Sequence, residues 1–322
     1  AQFRWFVVLT AVVVCCATAF NWMSNLAWAA GYTDLFGIAA HWSSDGFMGN
    51  RNAFGILAAT SVAIFAGYLA KDDSHWLGTA WPFTLLGIAL YGIYASQSRS
   101  SWLAVAASLT ALALFARFPW RPLVAAFVIA LTIGGSTKFV QHNIRDGAAW
   151  VSQVMPSSEE TLDRQRVRGS IYETQILSID SGIRHRIELT KRALELWMTR
   201  PIVGIGVGVF YHQQVKSLGW AWGSTIHTTL LWLLVETGLV GAVLFAAFAL
   251  LVLRALVRGD PAPAGKREFA VFLALIAIFA ASIATEIMFQ RYLWFLMGLG
   301  LAIPAAPEAH PARNDIAAGA SG

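Results

Sequence analysis

Long apolar runs separated by short polar turns fill most of this 322-residue chain, and one long polar stretch breaks the rhythm. The runs lie near 5–28, 53–70, 78–96, 101–116, 121–137, 227–253, 268–286 and 292–305. A helix needs about 20 apolar residues to cross a hydrocarbon core about 30 Å thick. The pattern therefore predicts about eight spans. Backbone polar groups inside a bilayer must be satisfied within the structure, and runs this apolar and this long do so as helices rather than as a barrel. The expected fold class is all-α, a polytopic transmembrane helical bundle. Asn21, Ser24 and Asn25 interrupt the first run near its end, and the last run is short.

The polar stretch divides the chain. An N-terminal group of five transmembrane helices (1–137) is followed by a large loop (138–226). A C-terminal group of three transmembrane helices (227–305) and a disordered tail (306–322) complete it. Charge then orients the bundle. Arg4, Lys71, Arg117, Arg121, Arg254, Arg258, Lys266, Arg267 and Arg313 fall on one set of span ends, and Arg51, Arg99 and Arg291 on the other. Positive residues in short loops stay cytoplasmic, so nine against three makes the first set, and the tail, cytoplasmic. The other eleven of the 23 Lys and Arg residues lie in the long loop. Long loops are translocated largely regardless of charge, so this one is periplasmic.

The loop is expected to be partly helical. Ser157 and Glu160 have capping-box spacing and predict a helix over 158–176. A second helix is predicted over 183–199, with Ser181 as a cap and Pro201 as its stop. Ile183, Ile187, Leu194 and Trp197 trace an apolar stripe on it, with Arg184, Lys191 and Arg192 off the stripe. Such a helix lies on the membrane surface or packs on the bundle.

Composition agrees with a membrane chain. Hydrophobic residues make up 57% and charged residues 13%, against about 25% charged in soluble domains. Fourteen Trp residues fit interfacial anchoring. The net charge of +5 belongs to the loops beside a membrane. No basic run is interleaved with aromatics on a soluble face, so no nucleic-acid partner is read from it. Cys15 and Cys16 are adjacent in an apolar run, where a bond between them is sterically disfavoured.

The candidate chemistry gathers on the non-cytoplasmic side. Arg51 lies in Gly49-Asn50-Arg51-Asn52, and Arg99 lies in Ser98-Arg99-Ser100-Ser101. Arg186 starts the second loop helix, and His227 starts a span that carries Glu236. A guanidinium is a planar fork of donors suited to phosphate oxygens, and the Ser98 and Ser100 hydroxyls are placed for the same anion. The blander reading is also open. A single Arg at a span end serves as a snorkelling anchor, and a lone His at a helix start is commonly structural. Glu236, about two turns into its span, is a candidate for a buried polar role, and Glu286 with Arg291 reads as a simple ion pair. Gly204-Ile205-Gly206-Val207-Gly208 is G-x-G-x-G rather than the dinucleotide fingerprint, with no βαβ pattern around it, and reads as a tight turn. No metal-ligand constellation is apparent, and no cofactor is expected.

These residues resemble the O-antigen ligase superfamily in four places. Gly49-Asn50-Arg51-Asn52-Ala53-Phe54-Gly55 is similar to its first segment and Ser98-Arg99-Ser100-Ser101 to its second. Arg186 with Pro201-Ile202-Val203-Gly204-Ile205-Gly206-Val207-Gly208-Val209-Phe210 is similar to its third. His227-Thr228-Thr229-Leu230 with Glu236-Thr237-Gly238-Leu239-Val240-Gly241 is similar to its fourth, with Thr228 where the family often has Asn. The resemblance implies a GT-C-like bundle, with about four further spans ahead of this chain. It also implies a metal-independent, inverting glycosyltransferase of the bacterial inner membrane. Such an enzyme moves a glycan from undecaprenyl diphosphate to an acceptor hydroxyl on the periplasmic face, with lipid A-core as the leading acceptor.

In that reading Arg186 and His227 are catalytic. Arg99, Arg51, Ser98, Ser100 and Glu236 bind the diphosphate or glycan. The alternatives are an O-antigen or exopolysaccharide polymerase and a protein O-oligosaccharyltransferase of the same superfamily. A transporter of lipid-linked sugars is a reading from a different class. A transporter is expected to place ionisable residues near the midplane of several spans, whereas here most lie at one face.

Overall fold

The structure, a computed structural model, describes residues 2–30, 34–35, 38–39, 50–70, 81–116, 123–136, 186–212, 226–257 and 265–303. Each of the eight apolar runs contains a helix. Before the polar stretch come α1 (Gln2–Ala30), α2 (Arg51–Ala70), α3 (Trp81–Ser96), α4 (Arg99–Phe115) and α5 (Leu123–Ser136). Inside the stretch lie α6 (186–199) and the single turn α7 (209–212). After it come α8 (Thr229–Leu256), α9 (Lys266–Ala281) and α10 (Arg291–Ala302). A two-residue ladder pairs β1 (Asp34–Leu35) with β2 (Ile38–Ala39), Asp34 opposite Ala39 and Leu35 opposite Ile38. It leaves the class unchanged: the chain is a polytopic helical membrane protein. The capping box at Ser157, the helix expected over 158–176, Ser181, Ile183 and the tail over 306–322 lie outside the described residues.

Three segments, Trp5–Ala27, Arg51–Ala70 and Thr229–Leu256, are long and apolar enough to cross a membrane on their own. The helices α3, α4 and α5 are apolar but shorter. α10 has 12 residues, about 18 Å at 1.5 Å per residue, which falls short of the hydrocarbon core.

The centre of the bundle is α2, which packs against α3, α4 and α9, while α4 also packs on α9. Its exposure decides this placement, because 83% of its span is buried inside the protein. Small residues make the close packing possible. Gly55, Ala58, Ala59, Ala63, Ala66 and Gly67 are all buried on α2, and small side chains let helix backbones approach in a membrane.

Polar residues do not interrupt α1. It runs unbroken through Asn21, Ser24 and Asn25, and all three are buried with Thr18. A helix in an apolar medium keeps such groups on its inward side.

The stripe expected on the second loop helix is turned away from the core. Ile187 and Leu194 are exposed, whereas Leu189 and Ala193 are buried with Trp232, Leu233 and Val235 of α8, and Leu196 and Trp197 pack beside them. Leu189, Ala193 and Leu196 are spaced i, i+4, i+7, which is an inward helical face of its own. α6 therefore carries two apolar faces, and the bundle covers one.

Candidate functional site

Asn50 starts α2. Its side-chain oxygen accepts from the backbone N–H of Asn52 at 2.8 Å and of Ala53 at 3.4 Å, which caps the helix. Arg51 is the first helical residue and is exposed. α3 ends at Ser96, and the chain then turns sharply, with Gln97 at φ 51°. Ser98 follows in extended backbone, and α4 begins at Arg99, also exposed.

Hydroxyls hold this corner together. The Ser98 backbone N–H donates to Ser96 Oγ at 3.2 Å, Ser98 Oγ donates to Asn52 Oδ1 at 3.0 Å, and Ser98 Oγ lies 2.8 Å from Ser100 Oγ. Ser98, Ser100 and Ser101 are all buried. A Cβ on Gly55 would sit 2.1 Å from Ser101 Oγ and 2.6 Å from Ser96 Oγ. The corner closes because α2 has no side chain there. Ser98 and Ser100 thus bond within the corner, and the cations beside them point outward.

Arg186 is the first described residue of α6 and is exposed. Partial desolvation and, after it, the charges of Arg51 and Arg99 hold its guanidinium below the usual range. The three cations therefore act on one another across three separate segments. A helix N-terminus carries a partial positive charge, so a cation there is unfavourable by about 0.3–1 kcal/mol. Arg51 and Arg99 each sit at such an end, and Arg186 adds a third charge. Three cations gathered in this way suit a multiply charged anion.

A second assembly forms around α8. The helix is broken at Gly238, whose φ of 69° and ψ of −171° are non-helical. The break frees backbone groups on a buried stretch of α8, and buried backbone groups must find partners. The loop after α6 supplies them. Ile205 and Gly206 donate to the carbonyls of Val235 (2.9 Å) and Glu236 (3.0 Å). Leu239 and Val240 donate to the carbonyls of Pro201 (2.9 Å) and Ile202 (3.1 Å).

Two glycines allow this seam. Gly204 has φ 72°, and a Cβ there would lie 2.5 Å from the Glu236 carbonyl. A Cβ on Gly238 would lie 2.3 Å from the Ile202 oxygen. The G-x-G-x-G run is thus a tight turn, as its spacing suggests, and it repairs a broken helix. The Glu236 side chain is buried and accepts the Gly208 N–H at 2.8 Å.

His227 is half-buried just before α8. The next residues are clamped to the turn between α9 and α10. Thr229 N–H donates to the Ser282 carbonyl at 3.0 Å, its hydroxyl donates to the Thr285 carbonyl at 3.1 Å, and the Ile287 N–H donates back to that hydroxyl at 3.0 Å. That clamp explains why α9 stops at Ala281, earlier than the apolar run ends.

Glu286 lies in the same turn, buried, and accepts backbone N–H groups of Met288 and Phe289 rather than pairing with Arg291. Burial pushes its carboxyl up to about 7, with the Glu236 charge adding to the rise and the two N–H groups opposing it. The two carboxylates therefore feel each other. Glu286 is the functional candidate that the sequence underrated, and its signal was an acid inside a nearly uniform apolar run. Among the described residues no three His, Cys, Asp or Glu side chains group as a metal site.

Residues 84–246 match a family described as O-Antigen ligase, which is half of the chain. The matched stretch includes Arg99, Arg186, His227 and Glu236 and stops short of Glu286. No curated protein matches the chain.

Proposed function

The chain belongs to the O-antigen ligase family of glycan-transferring membrane enzymes, and we propose that it transfers a glycan from undecaprenyl diphosphate to an acceptor hydroxyl on the periplasmic face of the inner membrane. The acceptor proposed is lipid A-core. One observation carries the reading: the Ser98–Asn52 hydrogen bond joins the starts of α2 and α4, where Arg51 and Arg99 are exposed, and both charges reach Arg186 of α6.

The reaction is a single displacement with inversion. The acceptor oxygen forms a bond to the anomeric carbon as the bond from that carbon to the diphosphate oxygen breaks, and the diphosphate takes the electron pair. Arg186 and Arg99 bind the leaving diphosphate and stabilise its growing charge, with Arg51 beside them. A preorganised donor of this kind is worth about 2.7–4 kcal/mol, or 10²–10³ in rate. The Ser98 and Ser100 corner presents Arg51 and Arg99 to the anion. His227 takes the proton of the acceptor hydroxyl, because an imidazole titrates near neutral pH. Glu236 acts by fixing the loop that leads from α6, and with it the approach of Arg186.

The test uses the protein in lipid with undecaprenyl-diphosphate glycan and lipid A-core. Ligation predicts glycan-extended lipid A-core and free undecaprenyl diphosphate. If lipid-linked glycan is consumed only when a second lipid-linked glycan serves as acceptor, the protein is a polymerase and the ligase reading fails.

A further inference from the structure

The uncovered apolar face of α6 continues into the loop that mends α8. Ile187, Leu194 and Met198 are exposed, and at 100° per residue they fall within about 40° of arc. Ile202, Val203 and Val207 follow in the loop, and their exposures of 64%, 66% and 72%, with 66% at Met198, are those of side chains with almost no protein against them. Six large apolar residues exposed within the 21 residues from Ile187 to Val207 are unusual outside a span.

What covers this surface follows from its depth. α8 has 28 residues, about 42 Å of helix, which exceeds a hydrocarbon core of about 30 Å. From Leu239 to Leu256 it measures about 27 Å, which matches the core. The break at Gly238 therefore marks the outer edge of the apolar layer. Exposure along α8 agrees. After the break Leu239, Val240, Val243 and Leu244 are all exposed, whereas before it Trp232, Leu233 and Val235 are buried and Leu230 alone is exposed. The loop is hydrogen-bonded to the residues on either side of that break. Ile202 and Val203 thus adjoin Leu239 and Val240 on the lipid-facing side, and the apolar surface continues that face outward.

Charge identifies the lipid. Lys191 lies on the exposed arc of α6, four residues after Ile187, and Arg200 sits where α6 meets the loop; both are exposed. Long cationic side chains beside an apolar strip lay their stems along it and carry their charges to headgroup level. A helix with this arrangement lies in the membrane interface and favours anionic lipid.

We propose that α6 and the loop after it form an in-plane membrane anchor, with Met198, Ile202, Val203 and Val207 sunk into the outer leaflet and Lys191 and Arg200 on anionic phospholipid headgroups. The anchor holds α6, which carries Arg186, down on the leaflet surface. The inference rests on the membrane placement of α8 and stands whichever glycan acceptor the enzyme uses.

Spin labels measure it directly. In a Cys15→Ala, Cys16→Ala background, labels are placed at Val203→Cys and Val207→Cys, with Glu195→Cys as the reference on another face of α6. The protein sits in nanodiscs of phosphatidylethanolamine and phosphatidylglycerol, and relaxation by oxygen is compared with relaxation by a water-soluble nickel chelate. At 203 and 207 oxygen is expected to exceed the chelate several-fold, with the reverse at 195. Adding Lys191→Gln and Arg200→Gln, or replacing phosphatidylglycerol by phosphatidylcholine, shifts 203 and 207 toward the aqueous value. Labels open to the chelate overturn the anchor. Labels shielded from both reagents overturn it in favour of a protein cover. Depth unchanged by lipid charge and by both substitutions overturns the anionic headgroup assignment.

Discussion

Two regions of this protein solve opposite problems with helices of similar apolarity. At the α2–α4 corner, α2 is enclosed, with 83% of its span inside the protein. There the contacts between helix ends are made by hydroxyls and an amide: Ser98 to Asn52 and Ser98 to Ser100. At the α8 seam the span is only 22% inside the protein, and the helix is broken. There the contacts are backbone to backbone, four of them between 201–206 and 235–240. The corner packs small residues so that side chains can bond across it. The seam uses glycines so that main chains can. Each region carries cations outward to a common field, Arg51 and Arg99 from the corner and Arg186 from the helix that leads into the seam.

The sharpest way to break that comparison is to remove one cation from each side. Arg186→Ala is expected to lower kcat/KM for transfer by roughly 10²–10³, and Arg99→Ala by a similar factor. If both bind one diphosphate, the double variant loses less than the product of the single losses. A fully multiplicative loss, measured in the undecaprenyl diphosphate release assay, means that the two act on separate groups.

Next in size is the seam itself. Gly238→Ala forces a Cβ against the Ile202 carbonyl at a positive φ, at a cost of about 1–3 kcal/mol. Faster proteolysis of the loop after α6 is expected, together with reduced transfer. The corner should respond more gently. Ser98→Ala removes the hydrogen bond to Asn52 Oδ1, and because Asn52 is only half-buried water can replace it, for about 0.5–1.5 kcal/mol. Thermal unfolding is expected at lower temperature, with the loop's proteolysis rate unchanged. Equal loop proteolysis in the two variants would show that corner and seam are one cooperative unit rather than two.

The smallest effect is a pH dependence at the α9–α10 turn. Glu286 titrates near 7 in the folded protein, above the reference value near 4.3. A raised carboxyl favours folding while protonated, and that contribution is lost as pH rises through the folded value. Glu286→Gln is therefore expected to melt like the parent at about pH 4 and slightly above it at about pH 8. A Tm difference that is the same at both pH values would remove Glu286 titration as its cause.

Much of this was legible before any coordinates. The eight runs became helices because length and apolarity decide helix formation in a bilayer. The Gly204-to-Gly208 turn was readable because closely spaced glycines imply unusual backbone. Arg51, Arg99 and Arg186 were readable as cations that belong together. Other features were not. Ser98 and Ser100 were expected to bind an anion, and only the structure shows their hydroxyls bonded to each other and, at Ser98, to Asn52. Ile187 and Leu194 were expected to share one stripe with Trp197, but α6 has two apolar faces and the bundle covers the other. Glu286 looked like half of a surface ion pair until the α9–α10 turn buried it against backbone N–H groups.

The sequence by itself determined that this chain is a membrane bundle, where its helices lie and which family it joins. The first two depend on transfer from water to an apolar phase, which is additive along a chain, and the third on the residues of four short motifs. Only the tertiary structure decided which apolar faces are inside, that a broken α8 is mended by the loop after α6, and that three distant arginines share one field. Lipid tails are as apolar as a leucine core, so hydropathy carries no label for inside. Close packing, backbone hydrogen bonding and charge at short range do, and they exist only once the helices meet.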